Sequence, residues 1–517
     1  MLYVSILVEL LRSRPALAVW IAGGAQAAVW TLIPALFYAG PPGNLPAVLA
    51  VGHEFQLGTD LGPPLAFWLA EIIFRLTGRS LFAIYALSQI CVVATYWAVF
   101  RLGRAIVGAQ QAAIAVLLMV GISTFTVVTP EFGPVILTMP LWAMTLLHYW
   151  MVVEEKRPGY AIALAVEVGL LLLTTYAGTV LVGLLILFTC VSARARPMLR
   201  VPALWPAGFA AVVLAVPNLY WVVTTNEEFL ATLGRLRAAD SVAGNFTAWL
   251  RQLVLLIGAH AGLIVLIGIV IGFPWARSEP APVIVRNPVA PFARQFVFFF
   301  AVMPALVATV VGVAAGSPGP VGGIAPLVVL SGLAVVIAAG DAIALTHQRG
   351  VIATWFGLLL IPPALAVLAL LTLPWLGIDL AVNQPAEAMA RFFGDSFARR
   401  VGKELPIVAG DPRTAMLVEL GAPSRPSLYL EATPKRSPWV SIDDIRTKGA
   451  IVVWPTTDTA GAPPAAIKQD FPDIVPEVPR AFERTVQGRL PLLRIGWALI
   501  RPQPPQDLAP APAAPKP

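Results

Sequence analysis

Charged residues are scarce in this chain. They make up 12% of the 517 residues, whereas 58% of the residues are hydrophobic and the mean hydropathy is +0.79. A soluble domain carries about a quarter charged residues, so the composition excludes an ordinary soluble protein and indicates an integral membrane protein. The net charge of +7 would suggest nucleic-acid binding in a soluble chain. In a membrane protein it indicates basic cytoplasmic loops instead, and no nucleic-acid partner is expected.

Cysteine is also nearly absent. The two cysteines, Cys91 and Cys190, both fall inside apolar runs, so neither a disulfide nor a thiolate metal site is predicted. The chain has no Walker, dinucleotide-binding or HExxH pattern and no cluster of cysteines and histidines. We therefore expect no tightly bound cofactor and no requirement for a divalent metal.

Long apolar runs dominate the sequence. A spanning helix needs about 20 apolar residues, and about eleven runs approach this length. They lie at residues 16–39, 80–100, 108–129, 134–153, 160–176, 178–194, 203–224, 248–273, 296–315, 323–343 and 351–373. The first run is too long for a cleavable signal peptide and has no evident cleavage site, so we expect it to remain as a spanning helix.

Successive spanning helices place their connecting loops alternately on the two sides of the membrane. Basic residues are distributed unequally between these two sides. One side holds most of them: Arg12, Arg14, Arg101, Arg104, Lys156, Arg157, Arg194, Arg196, Arg200, Arg277, Arg286, Arg294, His347 and Arg349. The inter-helix loops of the other side have mainly Arg235 and Arg237. Because cytoplasmic loops carry the excess of lysine and arginine, the N-terminus is predicted to be cytoplasmic. The protein is expected in the inner membrane as a multi-pass protein, with loop 41–77 and the C-terminal region in the periplasm.

The loop at residues 41–77 concentrates polar residues in a chain that has few. His53, Glu54 and Asp60 lie within eight residues, and the pair Pro63-Pro64 then separates one segment from the next. The following residues have helical spacing of apolar side chains, typical of a helix that lies in the membrane interface. The predicted apolar face comprises Phe67, Trp68, Ile72, Ile73 and Leu76, with Glu71 and Arg75 on another face.

Two short patterns in this loop, Leu57-Gly58-Thr59 and Pro63-Pro64-Leu65-Ala66-Phe67-Trp68-Leu69, support a family resemblance. The loop resembles the first outer loop of polyprenyl-phosphate-dependent glycosyltransferases with the GT-C membrane fold. It is most similar to the bacterial protein mannosyltransferase group (glycosyltransferase family 39), which includes lipid A aminoarabinose and galacturonic acid transferases. Where that family has its catalytic aspartate, this chain has Asn44.

The resemblance implies a polytopic α-helical membrane protein of GT-C type with about eleven spanning helices. It implies an inverting hexosyl or pentosyl transferase that takes its sugar from a polyprenyl-phosphate donor in the bilayer. The acceptor would be an envelope glycolipid, glycan or protein. Pro63, Pro64 and Trp68 of the matching pattern would help to bind the substrate. A carboxylate would take the proton from the acceptor hydroxyl as it attacks the anomeric carbon.

An amide cannot be that base at neutral pH, so Asn44 leaves the role to another residue. Glu54 and Asp60 are the nearest carboxylates in the sequence, and Glu131 lies alone in the short second outer loop. We prefer Glu54, which follows His53. Asp60 lies in a glycine-flanked turn where a structural role is equally plausible, and Glu131 is as well explained by a solvated turn.

Three further charged residues, two arginines and one glutamate, have two interpretations each. Arg235 and Arg237 lie on the outer side and could bind a donor phosphate with their forked donors, or they could belong to the solvated face of a surface helix. Glu167 lies in the middle of an apolar run. An intramembrane carboxylate is a functional candidate by default, but we favour a hydrogen bond that fixes helix packing.

The composition changes after residue 377. Short strands are predicted at residues 405–410, 427–431 and 449–454, with a helix at 413–420 between the first two. We therefore predict a membrane domain at 1–377, a small periplasmic α/β domain at 378–501 and a disordered Pro/Ala-rich tail at 502–517.

Two alternatives to the transferase remain. A non-catalytic relative would bind a lipid-linked sugar or a partner enzyme, and Asn44 favours it. A lipid transporter is disfavoured because the sequence shows no two-fold repetition and its polar residues concentrate at one surface.

Overall fold

The computed structural model describes residues 2–59, 61–202, 204–224, 242–271, 282–315, 323–430 and 437–503. The chain forms two compact units. Unit 1 comprises Met1–Phe37 and Phe55–Val367, and unit 2 comprises Tyr38–Glu54 and Leu368–Pro517. The loop predicted at residues 41–77 is therefore divided between the units, and its first part groups with the C-terminal region.

Helices account for most of the described chain. They are α1 (Leu2–Ser13), α2 (Pro15–Phe37), α3 (Leu45–His53), α4 (Leu65–Leu76), α5 (Leu81–Val107), α6 (Ala109–Met119), α7 (Pro134–Val153), α8 (Tyr160–Leu172), α9 (Ala177–Val191), α10 (Leu204–Thr224), α11 (Val242–Ala259), α12 (Ala261–Ile271), α13 (Pro291–Ala315), α14 (Ser331–Ala338), α15 (Gln348–Thr372), α16 (Ala386–Val401), α17 (Pro412–Gly421), α18 (Ile442–Lys448) and α19 (Ala465–Asp470). The strands are β1 (Val283–Val285), β2 (Ala342–Ala344), β3 (Ile407–Gly410), β4 (Ser427–Leu430), β5 (Ala450–Pro455), β6 (Glu477–Phe482) and β7 (Leu493–Ile500).

Each of the eleven predicted spans contains helical residues, but their lengths differ. Within the described ranges, five helices are long and apolar enough to cross a membrane: Pro15–Phe37, Leu81–Val107, Pro134–Val153, Pro291–Val311 and Gln348–Leu376. The pair Gly244–Ala259 and Ala261–Ile271, bent by 48°, would be a sixth. Five further apolar helices have 10–17 residues, so length and composition support fewer spans than the eleven predicted.

The predicted run at 323–343 shows why some helices are shorter than the apolar sequence. Its helix α14 ends at Ala338, and Gly340 then adopts a φ of +96°, which favours glycine and ends the helical path. Strand β2 follows and pairs antiparallel with β1. Apolar residues in such a segment are thus divided between a short helix and a strand.

Small residues allow close contacts between the helices of unit 1. A Cβ on Gly332 of α14 would lie 2.2 Å from the carbonyl oxygen of Ala115 in α6. A Cβ on Gly121 would lie 2.6 Å from the backbone nitrogen of Leu263, which donates to the Gly121 carbonyl at 2.9 Å. Membrane helices pack through such small residues because lipid offers no hydrophobic drive for their association.

Unit 2 contains a five-stranded sheet in the order β4-β3-β5-β7-β6. The first three strands are parallel, and β7 pairs antiparallel with both β5 and β6. Helices α16 and α17 pack through Phe393, Phe397 and Leu417 on one apolar cluster, and α18 and α19 pack through Ile445 and Ile467 on another. The result is a layered α/β arrangement.

Helix α3 packs into this unit although about 350 residues of the chain separate it from the sheet. Leu45, Val48 and Leu49 are buried, and Ala50 belongs to the same apolar cluster as Phe393. Arg425 forms a buried ion pair with Glu419 at 3.0 Å and donates to the Leu49 carbonyl at 3.5 Å. The apolar face of α3 is therefore buried against protein.

Candidate functional site

The segment from Phe55 to Pro64 lies against the helices of unit 1. Trp68 of α4 donates from Nε1 to the Gln56 carbonyl at 2.9 Å, and Asn218 of α10 donates to the Leu57 carbonyl at 3.4 Å. A Cβ on Gly58 would lie 2.4 Å from Cδ2 of Trp221, so the backbone there is in close contact with the indole ring. Helices α4 and α10 thus determine the path of the segment.

Thr59 and Gly62 form an isolated antiparallel β-bridge. The backbone nitrogens of Thr59 and Gly62 each donate to the other residue's carbonyl at 3.1 Å, and the Leu61 nitrogen donates to the Thr59 hydroxyl at 3.1 Å. Gly62 has a φ of +135°, which favours glycine. Thr59 and Gly62 are therefore fixed by backbone pairing, while the candidate base Asp60 lies outside the described residues.

Pro63 and Pro64 are buried and precede α4. The Leu65 nitrogen donates to the Leu173 carbonyl at the end of α8 at 2.9 Å. Of the three predicted substrate-binding residues in this loop, the two prolines lie in the protein interior and Trp68 is partly exposed. Their observed contacts fix the start of α4.

The buried face of α4 differs from the predicted one. Glu71 is 1% exposed and accepts a hydrogen bond from Arg75 Nε at 2.5 Å, so these two residues share a face, as predicted. The prediction that this pair lies away from the buried face was wrong for Glu71, because Phe67 and Phe74 are buried with it. Ile72, by contrast, is 43% exposed. The side chains that the sequence predicted as one apolar face are divided between the protein interior and the outer surface of the unit.

The preferred base, Glu54, belongs to unit 2. It is the C-terminal cap residue of α3, its backbone nitrogen donates to the Val51 carbonyl at 3.3 Å, and both Glu54 and His53 are partly exposed. Asn44 is exposed at the N-cap of the same helix and makes no side-chain cap hydrogen bond. At 1.5 Å per residue, Asn44 and Glu54 are about 15 Å apart along α3. They cannot act on the same atom.

The second loop of unit 1 is anchored by buried polar side chains. Gln89 of α5 donates to the Thr129 hydroxyl at 2.9 Å, and the hydroxyl of Ser88 donates to the Thr129 carbonyl. Glu131 is partly exposed, and its backbone nitrogen donates to the Val128 carbonyl at 3.1 Å. This loop therefore has a defined path, and Glu131 is a member of unit 1, unlike Glu54.

Glu167 has a direct partner inside the helix bundle. Its carboxylate lies 2.7 Å from Nδ1 of His148 on α7, and the His148 ring stacks on Tyr160 at 5.1 Å between centroids. The contact joins α7 to α8, which agrees with the packing interpretation of this carboxylate. Arg235 and Arg237 lie outside the described residues, so the structure does not place the predicted phosphate ligands.

Sequence reasoning missed Asn218 and Arg413. Asn218 hydrogen-bonds to the Leu57 carbonyl. Arg413 lies in the first turn of α17 and contacts the backbone of Gly43. Neither belongs to a motif, and only the tertiary contacts reveal them. Within the described ranges, no group of three or more His, Cys, Asp or Glu side chains could hold a metal ion.

Comparison with known proteins agrees with this architecture. Residues 62–221 match the family model "Dolichyl-phosphate-mannose-protein mannosyltransferase". This range includes α4, the end of α8 and the residues of α10 that contact the preceding segment. No curated protein sequence matches the chain.

Solved structures with the same fold include ArnT from Cupriavidus metallidurans. Its apo structure has a TM-score of 0.60 and its complex with undecaprenyl phosphate a TM-score of 0.59; each is 14% identical, with 93% of this chain and 97% of that chain covered. The Archaeoglobus fulgidus oligosaccharyltransferase AglB, in complex with an inhibitory peptide and a dolichol-phosphate, covers 86% of this chain and 70% of its own, at 11% identity. Its TM-score of 0.43 does not establish a common fold. The predicted resemblance is confirmed: the chain matches the dolichyl-phosphate-mannose-protein mannosyltransferase model over residues 62–221 and has the fold of the GT-C membrane protein ArnT.

Proposed function

We propose that this protein is a membrane glycosyltransferase that moves a sugar from a polyprenyl-phosphate donor to an acceptor on the periplasmic face. The acceptor would be an envelope lipid, glycan or protein. The observation that carries the proposal is the contact of Gln56, Leu57 and Gly58 with α4 and α10, directly before the residues 62–221 that match the mannosyltransferase model. The shared fold with ArnT, one of whose structures holds undecaprenyl phosphate, supports a lipid-phosphate donor.

The proposed reaction is a single displacement. The acceptor oxygen forms a bond to the anomeric carbon, and the bond from that carbon to the donor phosphate oxygen breaks with its electron pair leaving on the phosphate. The acceptor proton passes to a carboxylate, for which we propose Glu54, and the configuration at the anomeric carbon inverts. Glu54 is partly exposed and can therefore reach a ligand. The leaving phosphate needs cationic stabilisation more than a proton, and Arg235 and Arg237 remain proposed ligands for it.

A Glu54→Gln variant tests the base. The amide keeps the size of the side chain but cannot accept the proton at neutral pH, so we expect transfer to fall at least about 100-fold while donor binding is retained. Glu404→Gln is the control, because Glu404 is an exposed carboxylate of the same unit as the partly exposed Glu54. Asp60→Asn should cost less than Glu54→Gln. Arg235→Ala or Arg237→Ala should raise the KM for donor more than the lysine variants do, because a point charge keeps only part of a forked contact.

A non-catalytic relative that binds lipid-linked sugar is the second candidate function, and the exposed amide of Asn44 favours it. Mass spectrometry of envelope lipids and glycans from a deletion strain separates the two. Loss of one sugar substituent, restored by the wild-type gene but not by Glu54→Gln, supports the transferase. An unchanged set of glycans with retained donor binding supports the binding protein. If Asn44→Asp raises activity and Glu54→Gln does nothing, the assignment of Glu54 is wrong.

A further inference from the structure

A cavity of about 740 Å³ lies within unit 1, between the helices α1, α2, α6, α12, α14 and α15 and the strand β2. Almost all of its lining is apolar. Of the few polar groups there, the Thr346 hydroxyl donates to the Val270 carbonyl at 2.6 Å. The indole nitrogen of Trp355 donates to the Leu117 carbonyl at 2.9 Å. An ordered water needs about two to four polar partners, so these walls suit hydrocarbon and not water.

The cavity opens at the outer surface of unit 1. Ile21 of α2 and Ile271 at the end of α12 line it and are 53% and 77% exposed. Along α15 the lining extends from Gln348, the first residue of the helix, to Leu359. This part of the helix is about 16 Å long, which is close to half of a hydrocarbon core of about 30 Å. The cavity therefore has the depth that an acyl chain of one leaflet occupies.

Basic residues lie at the end of the cavity where α15 begins. Arg12 follows the last residue of α1 that lines the cavity, Arg349 lies in the first turn of α15, and both are exposed. Neither guanidinium has an ion-pair partner within the described residues. Asp341 is already paired with Arg286 at 3.2 Å, and Glu9 is the single carboxylate of α1. This rim is therefore positively charged, and the N-terminus of α15 adds the positive end of a helix dipole.

The rim is remote from the candidate site. Gln110, at the start of α6, donates to the Arg12 carbonyl at 2.8 Å, so the end of α5 lies at the rim. Helix α5 has 27 residues and is about 40 Å long. Its other end follows α4, which contacts the segment at residues 55–64. A ligand at the rim therefore cannot meet the proposed base.

We propose that the cavity holds an acyl chain of an anionic phospholipid of the bilayer, with the lipid phosphate at the rim beside Arg12 and Arg349. Basic pockets between membrane helices bind anionic head groups, and phosphate oxygens match the forked donors of arginine. The lipid is a bound structural component and not a substrate, since it fills the space between α1 and the neighbouring helices. In the proposed orientation of the chain it belongs to the cytoplasmic leaflet.

Native mass spectrometry of the full-length protein in detergent measures the retained lipid. The probes are anionic phosphatidylglycerol and zwitterionic phosphatidylcholine with identical acyl chains. We expect wild type to retain one phosphatidylglycerol with a preference of roughly 25-fold, about fivefold for each arginine at the rim. Arg12→Gln and Arg349→Gln should each lower the preference about fivefold. Arg104→Gln is the control, because it removes an exposed arginine in the last turn of α5, and it should leave the preference unchanged.

Ala25→Phe tests the cavity itself, because Ala25 of α2 lines it and the ring would occupy the space of the acyl chain. We expect phosphatidylglycerol to bind at least about tenfold more weakly. Ala28→Phe is the matched control, since it introduces the same ring on the same helix at an exposed residue outside the lining. Should Ala25→Phe fail to fold, Val351→Phe makes the same test from α15.

Equal retention of the two phospholipids by wild type would overturn the proposal, as would unchanged retention in a folded Ala25→Phe or Val351→Phe variant. Undecaprenyl phosphate is the third probe. If it displaces phosphatidylglycerol one for one, the cavity belongs to the donor lipid and the proposal is wrong. Retention does not depend on sugar transfer, so an inactive wild type that keeps the phospholipid would refute the proposed function and leave this site standing. An active wild type without lipid preference would do the reverse.

Discussion

A methyl group at position 58 tests the contact between the loop and α10 directly. In Gly58→Ala the new Cβ would lie 2.4 Å from Cδ2 and 2.5 Å from Cε3 of Trp221. Carbon atoms at optimal separation are about 3.5–4.0 Å apart, so the segment or the indole ring must move by more than about 1 Å. Gly58 does not have a positive φ, so the expected cost comes from this overlap and not from the backbone conformation of alanine.

Overpacking of this kind costs about 1–3 kcal/mol. If this segment forms part of the site, transfer should fall by about five- to 160-fold. The assay is a double-mutant cycle on kcat/KM and on the melting temperature, with Trp221→Leu as the second substitution because it frees the space that the methyl group needs. We expect a coupling energy of at least about 1 kcal/mol. The double variant should be more active than the sum of the effects of Gly58→Ala and Trp221→Leu predicts.

Gly24→Ala provides the control, because nothing lies within 4 Å of a Cβ at that position. It should leave both readouts within experimental error of wild type or slightly improved. If the free-energy effects of the Gly58 and Trp221 substitutions are strictly additive, the contact between these residues is refuted. A loss of stability without any loss of transfer would show that the segment is ordered by Trp221 but takes no part in the reaction.

Three further predictions follow from other contacts. Trp68→Phe removes the indole donor to the Gln56 carbonyl and should lower stability by about 1 kcal/mol, measured by thermal unfolding against Trp205→Phe, a site that is 74% exposed. Hydrogen bonds from Lys448 and Ser441 lower the pKa of Asp444 to about 2 from an ordinary 3.8, so the carboxylate stabilises α18 fully above about pH 4 and less as the pH falls towards 2. Hydrogen exchange of residues 441–448 should show that α18 opens more readily in Asp444→Asn than in wild type, by about 1 kcal/mol at neutral pH. An undiminished difference at pH 2 would contradict the assignment. A reporter fused after residue 376 should be active only in its periplasmic form, and cytoplasmic activity would reverse the proposed orientation of the whole chain.

Local sequence patterns were sufficient for part of the secondary structure. The predicted strands at 405–410, 427–431 and 449–454 lie within three residues of the ends of β3, β4 and β5, and α4 begins directly after Pro63-Pro64. The ion pair of Glu71 and Arg75 was also predictable. All of these depend on spacing within about ten residues, where periodicity of two or 3.6 residues and the restricted backbone of proline decide the outcome.

The division of loop 41–77 could not be predicted in this way. Residues 45–53 read as part of a membrane-surface loop, yet α3 buries Leu49 and Ala50 against the C-terminal unit. The apolar face of a short helix has the same pattern whether protein or lipid covers it. Only the folded chain decides which one does.

The sequence by itself predicted a polytopic helical membrane protein, the strands β3, β4 and β5 with the helix α17, and the resemblance of its first outer loop to lipid-phosphate-dependent glycosyltransferases. The tertiary structure decided that Glu54 and Asn44 lie at opposite ends of one helix, that Glu71 faces the protein interior, and that Arg413 contacts Gly43 across 370 residues of chain. Such contacts leave no periodic signal in the sequence, because their partners are chosen by the packing of whole helices and sheets and not by neighbouring residues.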